Sequence, residues 1–123
     1  MDYRLMYDTE FLAAVELRGK DVTLTIDHVE AAKIKGAEGK ENKRPVIIFT
    51  KNREDGRPLK MVVNRTNGAT IAALYGKDTD GWRGKRITIY PQMVRAFGKT
   101  DEALRVRPEA PKAAAPAPER AAE

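Results

Sequence analysis

Residues 67–75, NGATIAALY, are the one helical segment in the middle of a chain whose other patterned segments alternate as β-strands do. Either Thr66 or Asn67 can cap the N-terminus of this helix, because their side-chain oxygens can accept from free backbone N–H groups. Gly76 follows at the position where glycine most often ends a helix. The segment therefore predicts an α-helix that buries one apolar stripe, made of Ile71, Leu74 and Tyr75.

Three strand-like segments precede this helix and two follow it. Residues 21–34 begin with strict alternation of apolar and polar side chains, and the pattern breaks at His28. A bulge at that point would let one long strand curl around a barrel. The other predicted strands are residues 45–50, 59–63, 86–90 and 104–107, with a hairpin over residues 91–102 whose tip is expected at residues 98–101.

Three strands, a helix and two strands are the element order of an OB-fold, a small barrel that binds oligonucleotides or oligosaccharides. We therefore predict a mainly β chain: a five-stranded OB-fold-like barrel over residues 19–108, with one helix between strands three and four. Residues 1–18 form an N-terminal arm with a short helix over residues 10–17. Residues 109–123, EAPKAAAPAPERAAE, are dominated by Ala and Pro and are expected to be a disordered tail.

The charge of the chain is concentrated in the predicted barrel, where 19 Lys and Arg stand against 11 Asp and Glu, a net of +8. A basic body suits a polyanionic partner, because neutralised phosphates release their condensed counterions. The chain contains no cysteine and one histidine, which excludes disulfides and makes a zinc site or a histidine-centred triad implausible. The N-terminus lacks the pattern of a signal peptide and no segment is long and apolar enough to span a membrane, so a cytoplasmic protein is expected.

Four sequence blocks give the chain a resemblance to a family of small proteins encoded by tailed phages and prophages. The blocks are NRTNGATIAALYG (residues 64–76), DTDGWRGKRITIYP (78–91), VRAFGK (94–99) and LRVRP (104–108), and the resemblance covers roughly residues 8–108. It implies a phage origin, an OB-like fold and presumed single-strand binding. It assigns no established activity to individual positions.

Candidate binding residues come from the two loops that flank the groove of an OB barrel. The residues 35–44 form a predicted flexible loop, and Arg95, Phe97 and Lys99 alternate so that all three could project from one side of the second hairpin. Cations that follow phosphates and aromatic faces that stack on bases are what a non-specific single-strand binder needs. The predicted nucleic-acid-binding residues are Lys35, Lys40, Lys43, Arg44, Phe49, Lys60, Tyr90, Arg95, Phe97, Lys99, Arg105 and Arg107.

The predicted function is binding of single-stranded DNA, in preference to RNA, with little sequence specificity, in phage replication or recombination. The alternative is an OB-like protein-interaction module, a phage accessory or anti-defence factor that does not bind nucleic acid. We expect no enzyme activity, no cofactor and no metal. Phe97 could instead pack beneath its own hairpin, and Trp82 is interpreted as a plug at the barrel end rather than a stacking platform.

Overall fold

A computed structural model describes residues 3–6, 10–35, 41–96 and 98–111 of the chain. The described residues form a mainly β structure with five strands and one α-helix, as the sequence predicts. In chain order the elements are β1 (Val22–Lys35), β2 (Glu41–Asn52), β3 (Pro58–Val62), α1 (Arg65–Tyr75), β4 (Arg86–Ala96) and β5 (Lys99–Val106). Three short 3₁₀ helices, Tyr3–Met6, Ala14–Leu17 and Thr79–Trp82, complete the described structure.

The five strands form one antiparallel sheet in the order β3-β2-β1-β4-β5. Among the described residues no strand pairing joins the two edge strands, β3 and β5, so the sheet is a curled half-barrel: barrel-like, as predicted, but not closed. The first half of β1 pairs with β4 and its second half pairs with β2. This division lets one long strand serve both halves of the curled sheet.

The curl of the sheet begins at a bulge in β1. The pairing of β1 with β2 shifts between Ile26 and His28, which confirms the irregularity that the sequence predicts there. All five strands contribute side chains to one buried cluster, which requires the sheet to wrap around it. The cluster contains Leu17, Leu24, Ile26, Ile47, Phe49, Met61, Val63, Ile71, Trp82, Ile87, Ile89 and Val106.

Helix α1 follows β3 directly and contacts β5, the strand at the other edge of the sheet. The side chain of Asn64 caps the helix by accepting from the backbone N–H of Asn67 at 2.8 Å, so the predicted cap at Thr66 or Asn67 was wrong. Asn67 is instead buried inside the first turn and donates from Nδ2 to the carbonyl of Leu104 in β5 at 3.0 Å. The helix thus connects the end of β3 to β5 where no strand pairing does.

Two hairpin arms extend beyond the core; the first was predicted as a loop over residues 35–44 and the second as a hairpin over residues 91–102. Strand β2 begins at Glu41 rather than at residue 45, and β4 continues through Pro91 to Ala96. We call residues 31–35 with 41–45 the β1–β2 arm, and residues 92–96 with 99–103 the β4–β5 arm. Residues 36–40 lie outside the described residues, as does Phe97.

The N-terminal helix predicted over residues 10–17 is only a 3₁₀ turn at Ala14–Leu17. Glu16 closes this turn by accepting from the backbone N–H of Ala13 at 2.7 Å, and Leu17 enters the core cluster. Most of the tail predicted to be disordered, residues 112–123, lies outside the described residues. No helix in the described ranges is long and apolar enough to cross a membrane.

Candidate nucleic-acid interface

The face of the sheet that turns away from the core is the surface on which a ligand could lie, and we call it the outer face. Cross-strand partners share a face and neighbours along a strand alternate, so the pairing assigns each side chain to one side. On β4 and β5 the outer positions hold Tyr90 opposite Arg105, Gln92 opposite Ala103, and Val94 opposite Asp101. Lys99 lies on the same face, at the far end of the β4–β5 arm.

Tyr90 lies between two arginines on this face. Arg105 is its direct cross-strand partner, and the guanidinium carbon of Arg107 lies 3.6 Å from the centroid of the Tyr90 ring. Arg105 makes one described hydrogen bond, from Nη1 to the carbonyl of Leu104 at 3.1 Å. We call these three residues the tyrosine–arginine cluster. It combines an aromatic ring with two cations, the chemistry that a stacked base and its phosphate require.

Arg107 is also the partner of an acidic side chain at the start of β1. Its Nε and Nη2 donate to Oδ2 and Oδ1 of Asp21 at 2.9 and 3.0 Å. This bidentate hydrogen bonding lowers the pKa of Asp21 and raises that of Arg107, so both groups stay charged. Sequence reasoning missed Asp21, since it lies 86 residues from Arg107 and nothing local links the two.

The β1–β2 arm places two lysines directly opposite each other. Lys33 pairs with Lys43 in the register of the two strands, and both side chains are exposed. Like charges directly opposite are destabilising, so an anion between them would stabilise the arm. Lys33 and Lys43 continue the alternation set by Val29 and Ile47, so they lie on the core side of the sheet. Arg44, which pairs with Ala32, lies on the outer face. The sequence prediction included Lys43 but missed Lys33, which only the register identifies.

The outer face of β1, β2 and β3 is less basic than the sequence suggests. Lys60 points outward, as predicted, but its Nζ lies 3.6 Å from Oε2 of Glu10. Its cross-strand neighbour Ile48 is buried, and the next residue in that row is His28. The imidazole of His28 is hydrogen-bonded to the carboxylates of Glu30 and Asp27. These bonds raise the pKa of His28, with Glu30 the larger cause. The two carboxylates lower the positive charge of this part of the face.

The predictions for three site residues, Phe49, Arg95 and Lys99, need correction. Phe49 is only 2% exposed and belongs to the core cluster, opposite Ile26, so it cannot stack on a base. Arg95 and Lys99 do not share a side of their hairpin: Arg95 pairs with Thr100 and Lys99 with Ala96, which puts them on opposite faces. The predicted tip at residues 98–101 was also wrong, because β5 already begins at Lys99, which pairs with Ala96.

Other predicted residues fall partly or wholly outside the described structure. Lys40 and Phe97 lie outside the described residues, and for Lys35 only the backbone, at the end of β1, is described. Trp82 is 3% exposed and donates from Nε1 to the carbonyl of Gly76 at 2.8 Å, which confirms its interpretation as a core residue.

A cleft of about 630 Å³ lies between the N-terminal segment and the turn that joins β2 to β3. Arg53 lines it and donates from Nη1 to Glu16 at 2.7 Å, while its Nε and Nη2 have no hydrogen-bond partner. Those two nitrogens are inaccessible to solvent, so a ligand in the cleft cannot reach them. The arrangement anchors the N-terminal segment and offers no comparable group of accessible cations with an aromatic ring.

Comparison of the chain with protein-family models, with curated proteins and with solved structures finds no match.

Proposed function

We propose that this chain is a single-stranded DNA-binding protein with little sequence preference, acting by binding rather than by catalysis. The observation that carries the proposal is the tyrosine–arginine cluster on the outer face of β4 and β5. A base that stacks on Tyr90, or on the guanidinium plane above it, would place its phosphate beside Arg105. Because the base must be unpaired to stack, the cluster favours a single strand over a duplex.

The two arms extend this surface at opposite ends of β1. The β1–β2 arm continues from the second half of β1, and the β4–β5 arm extends past its first residues. A strand that lies across the outer face would meet Arg44 near one end and Lys99 near the other. These cations supply the sequence-independent part of the binding free energy.

The proposal includes the finer assignment of the half-barrel to the OB type. Strand β1 lies between β2 and β4, and the edges of the sheet are β3 and β5, as in a five-stranded Greek-key barrel that is partly open. The usual ligand face of that fold is on strands two and three. Here Glu10, Glu30 and Asp27 reduce its positive charge, and we place the ligand closer to β4 and β5. A cytoplasmic role in phage replication or recombination is the matching biological context.

The experiment that tests the function is fluorescence anisotropy of a labelled oligo-dT titrated with wild-type protein and with an Arg105→Gln variant. One lost phosphate contact should weaken binding about eightfold near 50 mM salt, as a slope of ~0.7 per single-strand contact predicts. Arg83→Gln is the matched control, because Arg83 also makes one described bond to a backbone carbonyl, that of Asp27 at 3.1 Å, away from the cluster.

Equal effects of the two substitutions would show that only overall charge matters and would remove the tyrosine–arginine cluster from the binding surface. A wild-type protein that does not bind oligo-dT even at low salt would overturn the function itself, since electrostatic binding is strongest there.

A further inference from the structure

Arg107 is already engaged by an acidic group that resembles a phosphate. Its Nε and Nη2 donate side-on to the two oxygens of the Asp21 carboxylate, at 2.9 and 3.0 Å. The two non-bridging oxygens of a phosphodiester offer the same pair of acceptors to an arginine fork. Asp21 therefore occupies the position on Arg107 that a backbone phosphate would take.

A phosphate can reach this position without any rearrangement of the fold. The Arg107 side chain is 39% exposed and that of Asp21 is 50% exposed. The pair opens into a cleft of about 570 Å³, which Thr88 and residues 109–111 also line. Exposed ion pairs contribute little to folding, so stability gives a weak reason for the pair to exist.

The acidic side chains around Arg107 also repel a nucleic-acid backbone. Glu109, at the edge of the same cleft, adds a second negative charge near Arg107. Together with Asp21 it outweighs the single positive charge of the guanidinium. The contact between Arg107 and the Tyr90 ring holds the guanidinium in place, so it does not depend on Asp21 alone.

We propose that Asp21 is a built-in competitor for the nucleic-acid backbone, and that a phosphate displaces its carboxylate from Arg107 when a single strand binds. This inference rests on the proposed function and identifies Asp21 as the residue that limits the affinity of the protein for single strands. The guanidinium exchanges one anionic partner for another, so Arg107 adds little net binding free energy in the wild-type protein. Asp21 then keeps the affinity for single strands moderate and the complex reversible.

The test is an Asp21→Asn substitution in the full chain, with oligo-dT affinity measured by anisotropy. Freeing Arg107 should tighten binding about eightfold near 50 mM salt and steepen the log–log salt slope by ~0.7. Asp55→Asn is the matched control, because it removes the same charge from another exposed pair, with Arg57 at 2.7 Å. A gain no larger than that of the control would overturn the proposal.

An Arg107→Gln background separates competition from a general effect of charge. In that background Asp21→Asn should raise oligo-dT affinity no more than the control Asp55→Asn does. A full eightfold increase in affinity would contradict an exchange at Arg107. Failure of the function is distinguishable, since it appears as no binding by the wild-type protein. In that case, an Arg107 Nε–H resonance that inorganic phosphate leaves unshifted would overturn the exchange as well.

Discussion

Replacing Tyr90 by leucine removes an aromatic face from the tyrosine–arginine cluster while keeping an apolar side chain. A base stacked on an aromatic ring contributes about 1–3 kcal/mol, so oligo-dT affinity should fall by a factor between about 5 and 150. The contact of the ring with Arg107 at 3.6 Å is also lost. At an exposed site that contact contributes about 0.5–1 kcal/mol to stability, so the variant should remain folded.

The assay is anisotropy with labelled oligo-dT at a fixed low salt concentration, beside a thermal unfolding curve for each variant. Tyr90→Phe is the matched control, because it keeps the ring and removes only the hydroxyl, and its affinity should equal that of the wild-type protein. If Tyr90→Leu also binds as the wild type does, stacking on this ring is refuted, whatever the cations contribute.

Three further predictions concern the fold. Phe49→Ala should lower the free energy of unfolding in urea by about 3–5 kcal/mol, and the folded fraction should bind oligo-dT normally; reduced binding by fully folded protein would contradict its place in the core. Trp82→Phe should cost about 1–3 kcal/mol, because its indole N–H bond to a backbone carbonyl is lost; an unchanged unfolding midpoint would contradict that bond. Hydrogen bonds to Glu30 and, to a smaller extent, Asp27 raise the pKa of His28 above 6.5. The stability that they contribute is therefore complete below pH 6.5 and is lost as the pH rises through the folded-state pKa. A His28→Gln variant should lack this pH dependence of stability, and identical pH profiles for variant and wild type would contradict the prediction.

The strand positions could be predicted because alternation in this chain follows burial. Leu24 and Ile26 in β1, and Ile87 and Ile89 in β4, all face the core as the pattern indicates. The helix could be predicted from the same kind of periodicity. Its cap could not be assigned, because Asn64, Thr66 and Asn67 are all able to cap, and only tertiary structure buries Asn67 against β5.

The facing of Phe49 could not be predicted because Val46–Phe49 is apolar without interruption. All four side chains are buried in the structure, which means that β2 is covered on both faces at this point. A run of that kind carries no period from which to read a direction. The prediction that placed Phe49 on the ligand face therefore had no periodicity to support it.

The β1–β2 arm was predicted as a loop because residues 35–44 are rich in charge and glycine. Pairing with β1 extends β2 back to Glu41, and local composition does not reveal pairing. Strand register and tertiary structure produce two pairings that sequence reasoning missed. Register sets Lys33 against Lys43, and tertiary structure brings Asp21 to Arg107 across 86 residues.

The most direct test of the central claim is the salt dependence of oligo-dT binding by the wild-type protein, with a duplex of the same length as the comparison. Three cations, Arg44, Lys99 and Arg105, lie on the outer face or its arms and have no described ion-pair partner. At ~0.7 per contact they predict a log–log slope of about −2, with weaker binding to the duplex. A slope near zero, or equal affinity for duplex and single strand, would contradict the account.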